Sequence, residues 1–161
     1  RLPLQSCQTI NDHWGYSITD NNYKSPKELI QMLVRAAGKN ANLLLNIGPE
    51  PGGALPSLAL DRLKAIGKWL DKYGNTIYGT RGGIVAPHDW GVSTQRDNKL
   101  YIHILNCQDA SLFIPLGKHQ VKSAKEYATG KQIKYIKGRE GVTLNLGTTP
   151  TDIDYVVELT L

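Results

Sequence analysis

The sequence predicts an α/β portion followed by an all-β portion: the last β/α units of a (β/α)8 barrel over residues 1–80, then an antiparallel β-sandwich domain over residues 81–161. Three observations predict it. Helix-period stretches alternate with short apolar runs in the first half, and short β-like segments replace them after Thr80-Arg81-Gly82-Gly83. The first 80 residues hold only two β/α units, against about 250 residues for a whole barrel.

The elements follow in order. Ser6 to Ile10 reads as a strand. Ser25-Pro26-Lys27-Glu28 reads as a helix start, with Ser as N-cap, Pro at the first helical position and Glu at the third. Leu29, Ile30, Leu33, Val34 and Ala37 recur at helical spacing, and Gly38 offers a left-handed stop. Asn42-Leu43-Leu44-Leu45-Asn46-Ile47 is a continuous apolar run closed by Gly48-Pro49, suited to a strand covered on both faces. A second helix starts near Ser57, with Leu60, Leu63, Ile66 and Leu70 on one stripe and Gly74 at its end.

Beyond residue 81 the strand candidates are Leu100–Leu105, Ser111–Leu116, Ser123–Tyr127, Gln132–Ile136, Val142–Leu146 and Tyr155–Leu159. Turn pairs such as Asp97-Asn98, Thr129-Gly130 and Lys137-Gly138 separate them at the spacing of a sandwich.

Composition narrows the function. The net charge is +5, with nine basic against six acidic residues in the first 80 and ten against eight in the rest. No block of like charge stands out, which argues for a mixed solvated surface and against nucleic acid. No run approaches eighteen apolar residues, so no membrane span is expected. The abrupt start at Arg1 reads as an internal cut. Cys7 and Cys107 lack metal or redox spacing and read as two small buried thiols.

His13, His88, His103 and His119 are scattered without metal-ligand spacing, and His103 reads as structural within its strand. The unusual segment is Asn11-Asp12-His13-Trp14-Gly15-Tyr16, just after the first strand. In a β/α barrel such loops form the functional face. Two aromatics, an imidazole, a carboxylate and an amide suit a sugar site, the rings stacking on the sugar's C–H face. Trp14 and Tyr16 read equally well as packing residues that cap the barrel.

Four ordered motifs carry a resemblance. Trp14-Gly15-Tyr16, then Leu43-Leu44-Leu45-Asn46-Ile47-Gly48-Pro49, then Ile66-Gly67-Lys68-Trp69-Leu70, then Gly74-Asn75-Thr76-Ile77-Tyr78-Gly79-Thr80-Arg81 resemble the α-L-fucosidases of glycoside hydrolase family 29. The resemblance covers the whole chain but only the C-terminal part of such an enzyme.

It implies a retaining exo-glycosidase with an aspartate nucleophile and a separate carboxylic acid/base about 5–5.5 Å apart. The nucleophile, and with it the acid/base, is expected upstream of Arg1. Asp20 stands where some relatives carry an acid/base, and is kept as a catalytic candidate. Gln5 stands where many relatives have Glu, and an amide cannot act as a general acid. Trp14 is implied to line the fucose pocket near the methyl group, with His13 as a second pocket candidate. Asn46, Gly48 and Pro49 are implied to shape the barrel.

The implied partners are a fucosylated glycan and the upstream barrel portion of the same protein, with no cofactor and no metal. The implied location is periplasmic or secreted. The competing reading is a non-catalytic carbohydrate-binding or structural sandwich attached to an incomplete β/α scaffold.

Overall fold

The computed structural model describes residues 4–161. Strands β1 (Leu4–Thr9) and β2 (Ala41–Asn46) pair in parallel, with Ser6 beside Leu43 and Cys7 beside Leu44. Helix α1 (Pro26–Gly38) joins them, and helix α2 (Ser57–Tyr73) follows β2 into a 3-10 turn over Gly74–Thr76.

Helix α1 begins as its sequence predicts. The Ser25 hydroxyl accepts the Glu28 N–H at 3.2 Å, and the Glu28 carboxylate accepts the Ser25 N–H at 2.8 Å. Its end differs. Gly38 is the last helical residue, and the left-handed position falls to Asn40 at φ 59°, which an asparagine tolerates well. Gly38 is needed for a different reason: a Cβ there would sit 2.4 Å from Cβ of Val92.

The apolar run of β2 is covered on one face only. Leu45 packs against a cluster of Ile10, Leu29 and Ala59, whereas Leu44 is 48% exposed. Cys7, beside Leu44, is exposed too, so the two thiols are not both buried; Cys107 is half-buried, and both are free. Helix α2 keeps most of its predicted stripe. Ile66 and Leu70 pack into the cores beside buried Ala59 and Trp69, and only Leu60, at the edge of the stripe, is exposed.

The remaining strands make two antiparallel sheets packed as a sandwich. Five strands run in the order β3 (Arg81–Gly82), β4 (Gly91–Arg96), β5 (Lys99–Ile104), β10 (Tyr155–Thr160) and β7 (Ser123–Glu126). Three run in the order β6 (Ser111–Pro115), β9 (Gly141–Asn145) and β8 (Lys134–Lys137). Leu100, Ile102 and Ile104 of β5 meet Ile114 and Leu144 between the sheets. Burying each such side chain contributes about 1.5–3 kcal/mol.

Strand β4 is absent from the sequence expectation for a clear reason. Val92 is its one apolar side chain, and its buried neighbours are polar and internally satisfied. Ser93 donates to the Val85 carbonyl at 2.9 Å, and Thr94 donates to the Thr76 carbonyl at 2.5 Å.

The five-stranded sheet is buried on its outer face as well, because the helices lie on it. Ile30 and Val34 of α1 and Trp69 of α2 pack with Val92 and Leu105. Trp69 stacks on Tyr73 at 5.4 Å, and Tyr73 meets Tyr127 at 6.0 Å. Gln31 reaches across from α1 to donate to the carbonyls of Leu105 and Ile153 at 3.1 and 2.8 Å.

A polar chain lies on this covered face. His103 Nε2 is 3.1 Å from the Thr94 hydroxyl, and His103 Nδ1 is 2.8 Å from Asp154 Oδ2. The Thr94 hydroxyl has given its one proton to Thr76, so His103 donates to it through Nε2. Both side chains are fully buried, so each compensates a desolvation cost the other could not meet alone.

Removing one partner should therefore be costly. Asp154→Ala is expected to lower unfolding free energy by about 3–5 kcal/mol, read by denaturant titration. A loss under about 1 kcal/mol would mean that the buried pair does not hold this layer together.

Candidate functional site at the carboxyl ends of the parallel strands

Because β1 and β2 are parallel, their carboxyl ends lie at one edge and their following loops share it. Residues 10–24 form the first of these loops. Lys24 fastens its base, its ammonium donating to the carbonyls of Thr9 and Asn11 at 2.8 and 2.9 Å. Arg62 of α2 donates to the Lys24 carbonyl at 2.9 Å, which ties the loop to the helix layer.

Asp20 organises the loop's interior. Its Oδ2 accepts the N–H groups of Asp12 and His13, both at 3.1 Å, and His13 Nδ1 at 2.7 Å. Its Oδ1 accepts the Asn22 N–H at 3.1 Å, the local turn expected of an Asp two residues before its donor. The hydrogen bond from His13, joined by those from the three backbone amides, holds the Asp20 carboxyl below its ordinary value against the opposing effect of burial. A carboxyl held ionised is a poor proton donor, so the surroundings of Asp20 suit a clamp better than a general acid.

His13 is oriented by this bond. Its Nδ1 faces Asp20, while the side chain is 63% exposed. With Nδ1 engaged by Asp20, Nε2 is the ring nitrogen left for another partner. Trp14 and Tyr16 follow at 54% and 41% exposure. Neither belongs to the buried clusters, so the packing-cap reading of Trp14 finds no core for it to cap among the described residues.

The second loop supports the first. Asn46, at the end of β2, donates to the Trp14 carbonyl at 2.6 Å. A Cβ on Gly48 would fall 2.5 Å from the backbone of Gly15 and Tyr16. Glycine at 48 thus lets the aromatic loop lie directly on the chain after β2. Trp14 is displayed by backbone contacts on both sides of it. Tyr23 sits half-buried beside the same loop, and burial pushes its hydroxyl up, with smaller contributions from Asp20, Tyr16 and Glu50.

The structure brings His13, Trp14 and Asp20 into one loop, while Gln5 lies on the exposed side of β1. The roles of Lys24 and Asn22 were not legible from spacing. Asn22 donates to Asp12 at 2.9 Å, a contact made only after the loop closes. Among the described residues no group of His, Cys, Asp or Glu could hold a metal ion.

Known proteins resemble this arrangement. Residues 1–75 match the sequence pattern of the family described as alpha-L-fucosidase. An alpha-L-fucosidase of Dictyostelium discoideum is 27% identical over 150 residues, which cover 88% of this chain and 31% of that protein. Alpha-L-fucosidase isoenzyme 1 from Paenibacillus thiaminolyticus superposes with a TM-score of 0.87 at 37% identity, over 99% of this chain and 40% of that one. A GH29 alpha-L-fucosidase from Bacteroides thetaiotaomicron gives a TM-score of 0.88 at 26% identity, over 97% and 37%. The chain thus spans well under half the length of these relatives.

The Asp20 clamp has a pH signature. Its carboxyl is lowered in the folded chain, so its contribution is complete above the ordinary value of 3.8 and is lost as pH falls through the lower folded value. Fluorescence of the exposed Trp14 loop should stay level from neutral pH down to that range and change only below it. A transition near neutral pH would show that another group holds the loop.

Proposed function

We propose that this chain, related over nearly its whole length to α-L-fucosidases of glycoside hydrolase family 29, is the C-terminal part of a retaining exo-α-L-fucosidase acting on terminal α-L-fucose of glycans. In this reading residues 1–80 are the last β/α units of a (β/α)8 barrel and residues 81–161 its C-terminal sandwich domain. The observation that carries it is the bare face of the β1–β2 pair. Parallel strands occur with both faces covered, yet Leu44 and Cys7 are exposed on one side while the helices cover the other. Helices lie outside a barrel, so the bare face is the one that would turn inward against the remaining strands.

The nucleophile and the acid/base then belong to the upstream portion. The hydrogen bonds that hold Asp20 ionised support that assignment. This chain contributes Trp14 and His13 at the barrel mouth. The Trp14 indole offers an apolar plane for the fucose methyl and one ring face, and His13 Nε2 offers a hydrogen-bond partner for a sugar hydroxyl. Asp20 and Asn46 hold these two in place. The sandwich stabilises the barrel through the helix layer.

Two outcomes test this reading. Within the complete protein, Trp14→Ala should raise the Michaelis constant for an aryl fucoside roughly ten- to a hundredfold, from about 1–3 kcal/mol of lost contact. In this reading its melting temperature should hardly move, because the indole meets the sugar and not the protein core. A fall in melting temperature with an unchanged Michaelis constant would make Trp14 a packing residue. The pure 161-residue chain should turn over no aryl fucoside. Measurable turnover would place both catalytic carboxylates within it and overturn the upstream assignment.

A further inference from the structure

We propose that the outer face of the three-stranded sheet binds an anionic glycan chain, one bearing sulfate or carboxylate groups. The face is built by register. Phe113, Thr143 and Ile136 stand in one cross-strand row, and Ser111, Asn145 and Lys134 stand in the next. Their neighbours Leu112, Ile114, Val142 and Leu144 point the other way and are buried between the sheets, so the two rows face outward.

The apolar members are conspicuously exposed. Phe113 is 49% and Ile136 75% exposed, side by side across Thr143. An open trough of about 540 Å³ runs over Ser111, Lys134, Ile136, Thr143 and Asn145. Asn145 uses its carbonyl oxygen on the Gly147 N–H at 3.0 Å, which leaves its amide donors for a ligand. An aromatic plane beside an amide and two hydroxyls matches a sugar ring, apolar on its C–H face and polar around its rim.

Charge decides the class of glycan. Residues 111–118 and 131–147, which make the small sheet and its turns, hold Lys118, Lys131, Lys134, Lys137 and Arg139 against Glu140 alone. This small part of the chain carries a net +4 of the whole chain's +5. Lysines on the edge strand β8 guard against strand pairing, but that role requires neither the exposed Ile136 beside Thr143 nor the exposed Phe113 two strands away. An apolar floor with Lys134 in its outward rows, on a small sheet whose turns are basic, complements a polyanion with rings to stack.

The face is also free to act. The helices and the parallel pair lie on the opposite side of the sandwich, over the five-stranded sheet, so none of the described elements covers it. The preference for a glycan over another polyanion rests on the glycosidase reading above. The binding surface itself does not depend on the catalytic site.

The test measures binding and hydrolysis separately on the complete protein. Immobilised heparin supplies sulfate, polygalacturonate supplies carboxylate alone, dextran is the neutral control and duplex DNA is a polyanion without exposed sugar rings. Heparin or polygalacturonate should be retained, with affinity falling as salt rises, and dextran and DNA should bind at least about tenfold more weakly. Lys134→Glu should weaken binding about tenfold and flatten the salt dependence. Phe113→Ala should weaken it about tenfold while leaving the salt dependence intact. Aryl fucoside turnover should be unchanged in every variant. Hydrolysis without polyanion binding would overturn the proposal and leave the fucosidase reading standing. Polyanion binding without hydrolysis would do the reverse. Equal affinity for DNA, or binding indifferent to Phe113→Ala, would reduce the face to a nonspecific cation patch and overturn the proposal.

Discussion

Two helices are shared between two sheets, and most of the structure depends on that sharing. Ile30 and Val34 of α1 pack towards the sandwich, while Leu29, one residue away, packs towards the parallel strands. A helix offers both directions only if its side chains suit both cores, and only if the partner sheet comes close. Gly38 provides the approach, because Val92 of β4 occupies the space a side chain would need. The β/α units and the sandwich therefore meet through a packed core and not through a linker.

The same layer explains two features that look unrelated. The outer face of the five-stranded sheet can carry a buried His103–Asp154 pair because the helices exclude water from it. Thr76, at the end of α2, is part of that polar chain through Thr94. Helix, turn and sheet are thus joined by directional bonds as well as by area. On the other side, Arg62 of α2 holds Lys24, and Lys24 holds the end of β1. The aromatic loop is positioned by the helix layer that also fixes the sandwich.

Much of this was legible in the residues. The helix start at Ser25 is local chemistry, since the cap needs only Ser25, Pro26 and Glu28 in order. The strands Leu100–Leu105 and Tyr155–Leu159 were legible because alternating bulky apolar side chains mark a buried sheet. The aromatic loop stood out as a site candidate from composition alone. Strand β4 did not, because Ser93 and Thr94 are buried by hydrogen bonds to Val85 and Thr76, which lie elsewhere in the chain.

By itself the sequence determined both helices and the strands with apolar alternation, where the chain changes from α/β to all-β, and which loop carries the aromatics. Those properties depend on neighbours within a few positions. Only tertiary structure decided that Gly38 is a contact point and not a stop, that Leu44 and Cys7 stand on a bare face, and that Asp20 is the loop's clamp. It also set Lys134 in one outward-facing pair of rows with Phe113 and Ile136, residues that lie apart along the chain. Each of these depends on the distance between residues remote in sequence, which packing of the helix layer and strand register set and local periodicity does not encode.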